Sequence, residues 1–225
     1  MPVFTPNFEK PGPGISKNEP PKKGAALFLE ILVREFWQLI KLNLIFLVAC
    51  IPVVTIGAAI SGLSKSTTKM VRDVPNDVWD DFKSGFRENM RFSIVIGLGG
   101  LPVFVGASLG FLLYAEHFAL QTLCLITLIL LTSFWIHLFP LLTSTTLSPG
   151  ESLRNAFLLG AIRFYCSIPA AVFCVIYIGV QVLLFPLSVP FSIFLGFSIP
   201  GFVGSFAAWS GIQRYIIKDP VDDQK

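Results

Sequence analysis

Charge is scarce in this chain: Lys, Arg, Asp and Glu make up 14% of its 225 residues, against about 25% in an average soluble domain. Histidine occurs twice and cysteine four times, with no Cys-x-x-Cys spacing. A structural zinc site draws four ligands from those residue types, so neither a metal nor another cofactor is expected. Cys50, Cys124, Cys166 and Cys174 each lie inside an apolar run and read as small hydrophobic residues. There is no Gly-x-x-x-x-Gly-Lys-[Ser/Thr] and no His-Glu-x-x-His, which removes P-loop nucleotide binding and zincin chemistry. No catalytic residue emerges, and an enzyme is not expected. The net charge of +3 is weak, and no nucleic-acid partner is expected.

What the chain has instead is apolar length. Hydrophobic residues reach 53% and mean hydropathy is +0.71, and apolar runs of about 20 residues recur, the signature of a polytopic membrane protein. The sequence therefore predicts an all-α transmembrane helix bundle. Residues 1–24 carry six prolines and no apolar core ahead of a cleavage site, so they read as a tail rather than a secretory signal. The helical domain is expected over 25–215, with helices near 25–51, 55–72, 76–114, 118–143, 149–187 and 191–215, and a short charged tail over 216–225.

The first helix places Glu30, Arg34, Gln38 and Lys41 on one polar stripe. Two readings of it stay open: Ala25–Lys41 lies in the interface, or the whole segment enters the bilayer with charged turns at headgroup level. Pro52 ends it, because proline lacks the N–H and clashes with the preceding turn. Thr55 reopens a helix with Gly57/Ser61 and Ala58/Gly62 as small-xxx-small pairs. Its second half, Ser64-Lys-Ser-Thr-Thr-Lys, is too polar for lipid and must face protein or water. After Val74-Pro-Asn-Asp77, the residues Trp79, Phe82, Phe86 and Met90 step by three and four along one apolar face. Asp77, Asp80 and Asp81 sit at the start of that helix and Lys83, Arg87 and Arg91 towards its end, which suits the helix dipole. Gly106-x-x-x-Gly110 in the next segment reads as helix packing. Ser148-Pro-Gly-Glu151 has capping-box spacing. His137 is the only imidazole within a span and reads as an interfacial side chain bonded to backbone.

Lys and Arg collect in cytoplasmic loops. The segments 64–91 and 144–164 and the C-terminal end hold them, and the turns at 115–117 and 188–190 hold none. Those basic segments and both termini are expected on the cytoplasmic side of the cell membrane. An inside N-terminus requires residues 25–63 to cross twice, giving six membrane helices with the reversal at Pro52–Thr55; a single crossing gives five.

Cys50-Ile-Pro-Val-Val-Thr-Ile-Gly-Ala-Ala, Met70-Val-Arg-Asp73, Val78-Trp-Asp-Asp-Phe82 with Phe86 and Asn89, and Leu153-Arg-Asn-Ala156 together resemble the YesL-like family of bacterial membrane proteins. The resemblance runs from about residue 25 to 215, and its most specific part is Pro-Val-Val-Thr-Ile-Gly. It implies a role beside carbohydrate ABC importers in Gram-positive bacteria, and it supplies no catalytic residues. The expectation is a non-catalytic accessory subunit or regulator that packs on ABC permease subunits through an amphipathic cytoplasmic elbow at 64–91. Trp79, Phe82, Phe86 and Arg87 are its candidate docking residues, since aromatics concentrate at contact hot spots. Pro52, Thr55, Gly57, Gly106 and Gly110 are its candidate turn and packing residues. Membrane lipids and a second copy of the chain are further partners to consider. The alternative is a stand-alone small transporter or channel for a neutral solute, against which stands the lack of charge inside spans 92–114, 165–187 and 191–213.

Overall fold

The computed structural model describes residues 24–216. The expected tails, apart from Gly24 and Ile216, lie outside the described residues. Within them are ten α-helices and no strand: α1 Ala25–Arg34, α2 Phe36–Ala49, α3 Ile56–Val71, α4 Val78–Arg87, α5 Met90–Leu113, α6 Phe118–Ser144, α7 Pro149–Ile162, α8 Phe164–Leu183, α9 Val189–Leu195 and α10 Ser198–Tyr215. A 3-10 turn, Val53–Thr55, joins α2 to α3.

Four of the six expected helices are broken. The 25–51 segment breaks at Glu35, whose backbone leaves helical geometry while its N–H still bonds Ile31 O. The 76–114 segment does not run straight into the span: Glu88 is extended and Asn89 is left-handed at φ 51°, a conformation that asparagine tolerates better than most residues. Asn89 Nδ2 then donates to Leu142 O at 3.2 Å, tying the break to α6. The 149–187 segment breaks at Arg163. The last segment bends by 44° between α9 and α10.

Pro52 and Thr55 act as the sequence suggests. Pro52 is extended (φ −79°, ψ 114°), and Thr55 Oγ1 reaches both Ala49 O and Pro52 O at 2.7 Å. The hydroxyl thus meets the Ala49 carbonyl left open where α2 ends, and the turn's own Pro52 carbonyl.

The polar helix α3 is the hub. Eleven of its sixteen residues are buried, among them Ser61, Ser64, Ser66, Thr67 and Thr68, and it packs on α2, α4, α5, α6 and α10. Small residues make those crossings close. A side chain at Gly57 would run into the Ser93 carbonyl and Gly97 of α5, and one at Gly62 into Phe82 of α4. Thr67 Oγ1 and Ser205 Oγ of α10 are 2.7 Å apart. Charges stitch the far side to α4: Lys69 bonds Asp81, and Lys65 Nζ donates to Ser84 Oγ at 2.8 Å and Glu88 Oε1 at 2.5 Å. Beyond them Arg72 lies over the Trp209 ring at 4.7 Å.

Three helices, α5, α6 and α8, are long and apolar enough to cross a membrane, and α9 with α10 makes a fourth if the bent pair is one span. The six-crossing expectation also needs α2 and α3. At fourteen and sixteen residues they measure about 21 and 24 Å, short of the ~30 Å hydrocarbon core. Together with the turn at Pro52 they form a short polar-cored hairpin instead of two full spans.

Candidate docking groove and central cavity

Helix α4 is amphipathic because its apolar residues recur at helical spacing, and its start is fixed by Asp77, whose carboxylate accepts from Trp79 N at 3.0 Å and Asp80 N at 3.3 Å. The structure brings all four candidate docking residues to one place. Trp79, Phe82, Phe86 and Arg87 line a groove of about 490 Å³, which α2 completes with Leu44, Ile45, Val48 and Ala49.

The stripe is not uniform. Phe82 is buried in the core against α3, Phe86 stacks beside it at 6.1 Å between ring centroids, and Trp79 stands 59% exposed. Phe82 is therefore the floor of the groove, and Trp79 and Arg87 are its open side. Lys83 also lines it, and neither Lys83 nor Arg87 has an ion-pair partner among the described residues. Asp81, placed by sequence with the capping carboxylates, is instead 6% exposed and paired with Lys69.

A second feature lies inside the bundle. A partly open cavity of about 250 Å³ is walled by α2, α3, α5, α6, α8 and α10, with Phe46, Phe104, Trp135, Phe139 and Phe197 among its lining. No charged side chain lines it. Ser64 and Thr132 are among its lining residues, but their hydroxyls are covered by protein and make no hydrogen bond among the described residues.

Of the glycine pair in α5, Gly110 packs against Cys124 of α6, but Gly106 has nothing within 4 Å. Gly106 is thus not an internal packing residue, which corrects its reading from spacing. The letters Gly106-Ala-Ser108-Leu-Gly110 also match Gly-x-Ser-x-Gly. That pattern makes a nucleophile only at a strained strand-to-helix turn, and here it lies within α5 with Ser108 Oγ donating to Phe104 O at 2.8 Å.

Sequence reasoning missed Asn43. It is fully buried, and its amide meets four backbone groups at the α9–α10 bend: Nδ2 donates to Ser192 O (2.9 Å) and Ile193 O (2.7 Å), and Oδ1 accepts from Phe197 N (2.8 Å) and Ser198 N (3.0 Å). The one available signal was a lone amide in an apolar run. His137 is also fully buried rather than interfacial, and its partner is Ser167 Oγ at 2.5 Å, not backbone. The same Ser167 hydroxyl lies 3.0 Å from Arg163 O. Among the described residues, no group of three or more His, Cys, Asp or Glu comes together to hold a metal.

The fold and these two features define a polytopic helical membrane protein with a lateral apolar groove and an apolar central cavity. Residues 39–116, which span α2 to the end of α5, match the family model described as "Protein of unknown function, DUF624". No curated protein and no solved structure matches the chain.

Proposed function

We propose that this chain is a YesL-like accessory subunit or regulator of a carbohydrate ABC importer, held in the cell membrane with its α3–α4 elbow facing the cytoplasm. The observation that carries this reading is the groove between α2 and α4. Its floor is apolar, its open side presents an aromatic residue that is more than half exposed, and two cations without an ion-pair partner among the described residues line it. That chemistry fits an amphipathic helix of a permease subunit whose apolar face carries acidic residues at its edge. Exposed aromatic anchors beside arginine are the composition of contact hot spots, and charge complementarity fixes which partner docks.

The test is recovery from native membranes through a C-terminal tag, with mass spectrometry of what accompanies the chain. A permease pair is expected in stoichiometric amounts with the natural chain. It is lost with Trp79→Ala and with Arg87→Glu, and it is kept with Gly106→Ala. Recovery of the chain alone contradicts the proposal. The second reading, a stand-alone transporter for a neutral solute, draws on the uncharged central cavity and is tested by solute flux into liposomes that hold the purified protein.

A further inference from the structure

We infer that the groove between α2 and α4 is a site for one anionic phospholipid of the bilayer, its phosphate held by Lys83 and Arg87 and an acyl chain laid along α2 over Leu44 and Val48. The lipid occupies the same groove as the docking reading but does not rest on that reading, because it fills the groove before any permease arrives.

Three features carry the inference. The first is charge. Lys83 and Arg87 are four residues apart and so share one face of α4; both are exposed and line the groove. Among the described residues neither has an ion-pair partner, and no carboxylate lines the groove. Ammonium and guanidinium groups both bind phosphate, the guanidinium through two parallel hydrogen bonds. The second is the apolar wall. Leu44, Val48 and Trp79 line the groove while 40%, 67% and 59% exposed, a surface as apolar as the lipid tails that would cover it. The third is place. Glu88 and Asn89 alone separate α4 from α5, which is long and apolar enough to cross a membrane. The basic side of the groove therefore lies beside the start of a span, where headgroups are, and an exposed tryptophan suits that level. One anionic phospholipid meets all three. A soluble phosphate leaves the wall uncovered, and a zwitterionic lipid brings a cation of its own.

Under the docking reading, a permease helix that seats in the groove displaces this lipid, and its acidic edge takes over the two cations.

The test titrates the purified full chain, stripped of lipid in mild detergent, with phosphatidylglycerol or with phosphatidylcholine of the same acyl chains, and native mass spectrometry counts what stays bound. One phosphatidylglycerol is expected to bind about tenfold more tightly than phosphatidylcholine, the combined effect of two cations at the headgroup. Lys83→Gln with Arg87→Gln is expected to abolish the preference. Arg87→Lys keeps the charge and is expected to keep the preference, and so is Arg154→Gln, which removes an exposed cation outside the groove. Val48→Trp, which fills the groove from an exposed position, is expected to weaken phosphatidylglycerol binding about tenfold. Glycerol phosphate, which has the charge without the chains, is expected not to displace the lipid. Equal affinity for the two lipids, or a preference that survives loss of both cations, overturns the inference. Unchanged binding in Val48→Trp, or displacement by glycerol phosphate, overturns the seating of a chain in the groove. No permease is present, so failure here leaves co-recovery from native membranes standing, and failure of co-recovery leaves this result standing.

Discussion

Helices α3 and α5 invert what hydropathy suggests about burial. Six consecutive residues of α3, Ser64–Lys69, are Ser, Thr and Lys, yet eleven of its sixteen residues are buried. Helix α5 is among the most apolar elements, yet only 11% of its span window is buried within the chain. In water that arrangement would be unstable. In a bilayer the solvent is hydrocarbon, so apolar helices gain nothing from hiding and polar ones must find partners inside the protein. The hydroxyls of Ser66 and Thr67 bond α3's own carbonyls, Thr67 also meets Ser205, and the lysines of α3 bond α4. The two helices touch where both are small, at Gly57, Ser93 and Gly97.

That contrast can be broken at the crossing itself. Gly57→Leu places a side chain onto backbone that cannot yield, and the expected cost is about 3 kcal/mol, the upper end for overpacking. Gly106→Leu, the same change on the open face of α5, is expected to move stability by under about 0.5 kcal/mol. Thermal unfolding in mild detergent compares the two, and equal effects would dissolve the distinction between hub and lipid face.

Next in size is Asn43→Leu. It removes four interhelical hydrogen bonds at roughly 0.6 kcal/mol each inside a membrane protein, so a loss of about 2–3 kcal/mol is expected by the same unfolding measurement. A loss near zero would mean that the α9–α10 bend holds without its clamp.

Lys69→Met leaves Asp81 buried without its partner. A fully buried pair loses about 3–5 kcal/mol when one member is removed; the Lys69 side chain is 33% exposed, and screening reduces the expected loss to about 1–2 kcal/mol. The double variant Lys69→Met with Asp81→Leu should recover part of it.

The smallest effect is at α7. Hydrogen bonds from the Ser148 backbone and side chain hold the Glu151 carboxyl below the usual carboxylate range. A lowered folded-state pKa adds stability that is present above the unfolded value, about 4.3 for glutamate, and is lost as pH falls through the folded value. Amide protection in the first turn of α7 should therefore drop on acidification below about pH 4, and Glu151→Gln should flatten that dependence.

Much of the membrane architecture was legible in sequence, because length and apolarity alone mark α5, α6 and α8. The reversal at Pro52–Thr55 was legible because proline acts locally, and the shielding of α3 because Ser64–Thr68 is too polar for lipid. The groove was half legible: the α4 stripe shows in its period, but α2 is apolar nearly all round and gives no sign of which side faces α4. Asn43 was not legible, since its partners are backbone groups 149 to 155 residues away that carry no residue signature. The break at Asn89 also escaped, because a single left-handed residue leaves the surrounding periodicity intact.

The most direct measurement is alkylation of single cysteines by a membrane-impermeant maleimide in the purified protein, with Cys50, Cys124, Cys166 and Cys174 replaced by alanine. Thr67→Cys on α3 and Lys83→Cys on α4 lie in the same polar stretch of sequence, but one is fully buried and the other exposed. The expected result is rapid labelling at position 83 and none at position 67 until the protein is denatured. Labelling of both at similar rates would contradict the burial of α3 at the centre of the bundle.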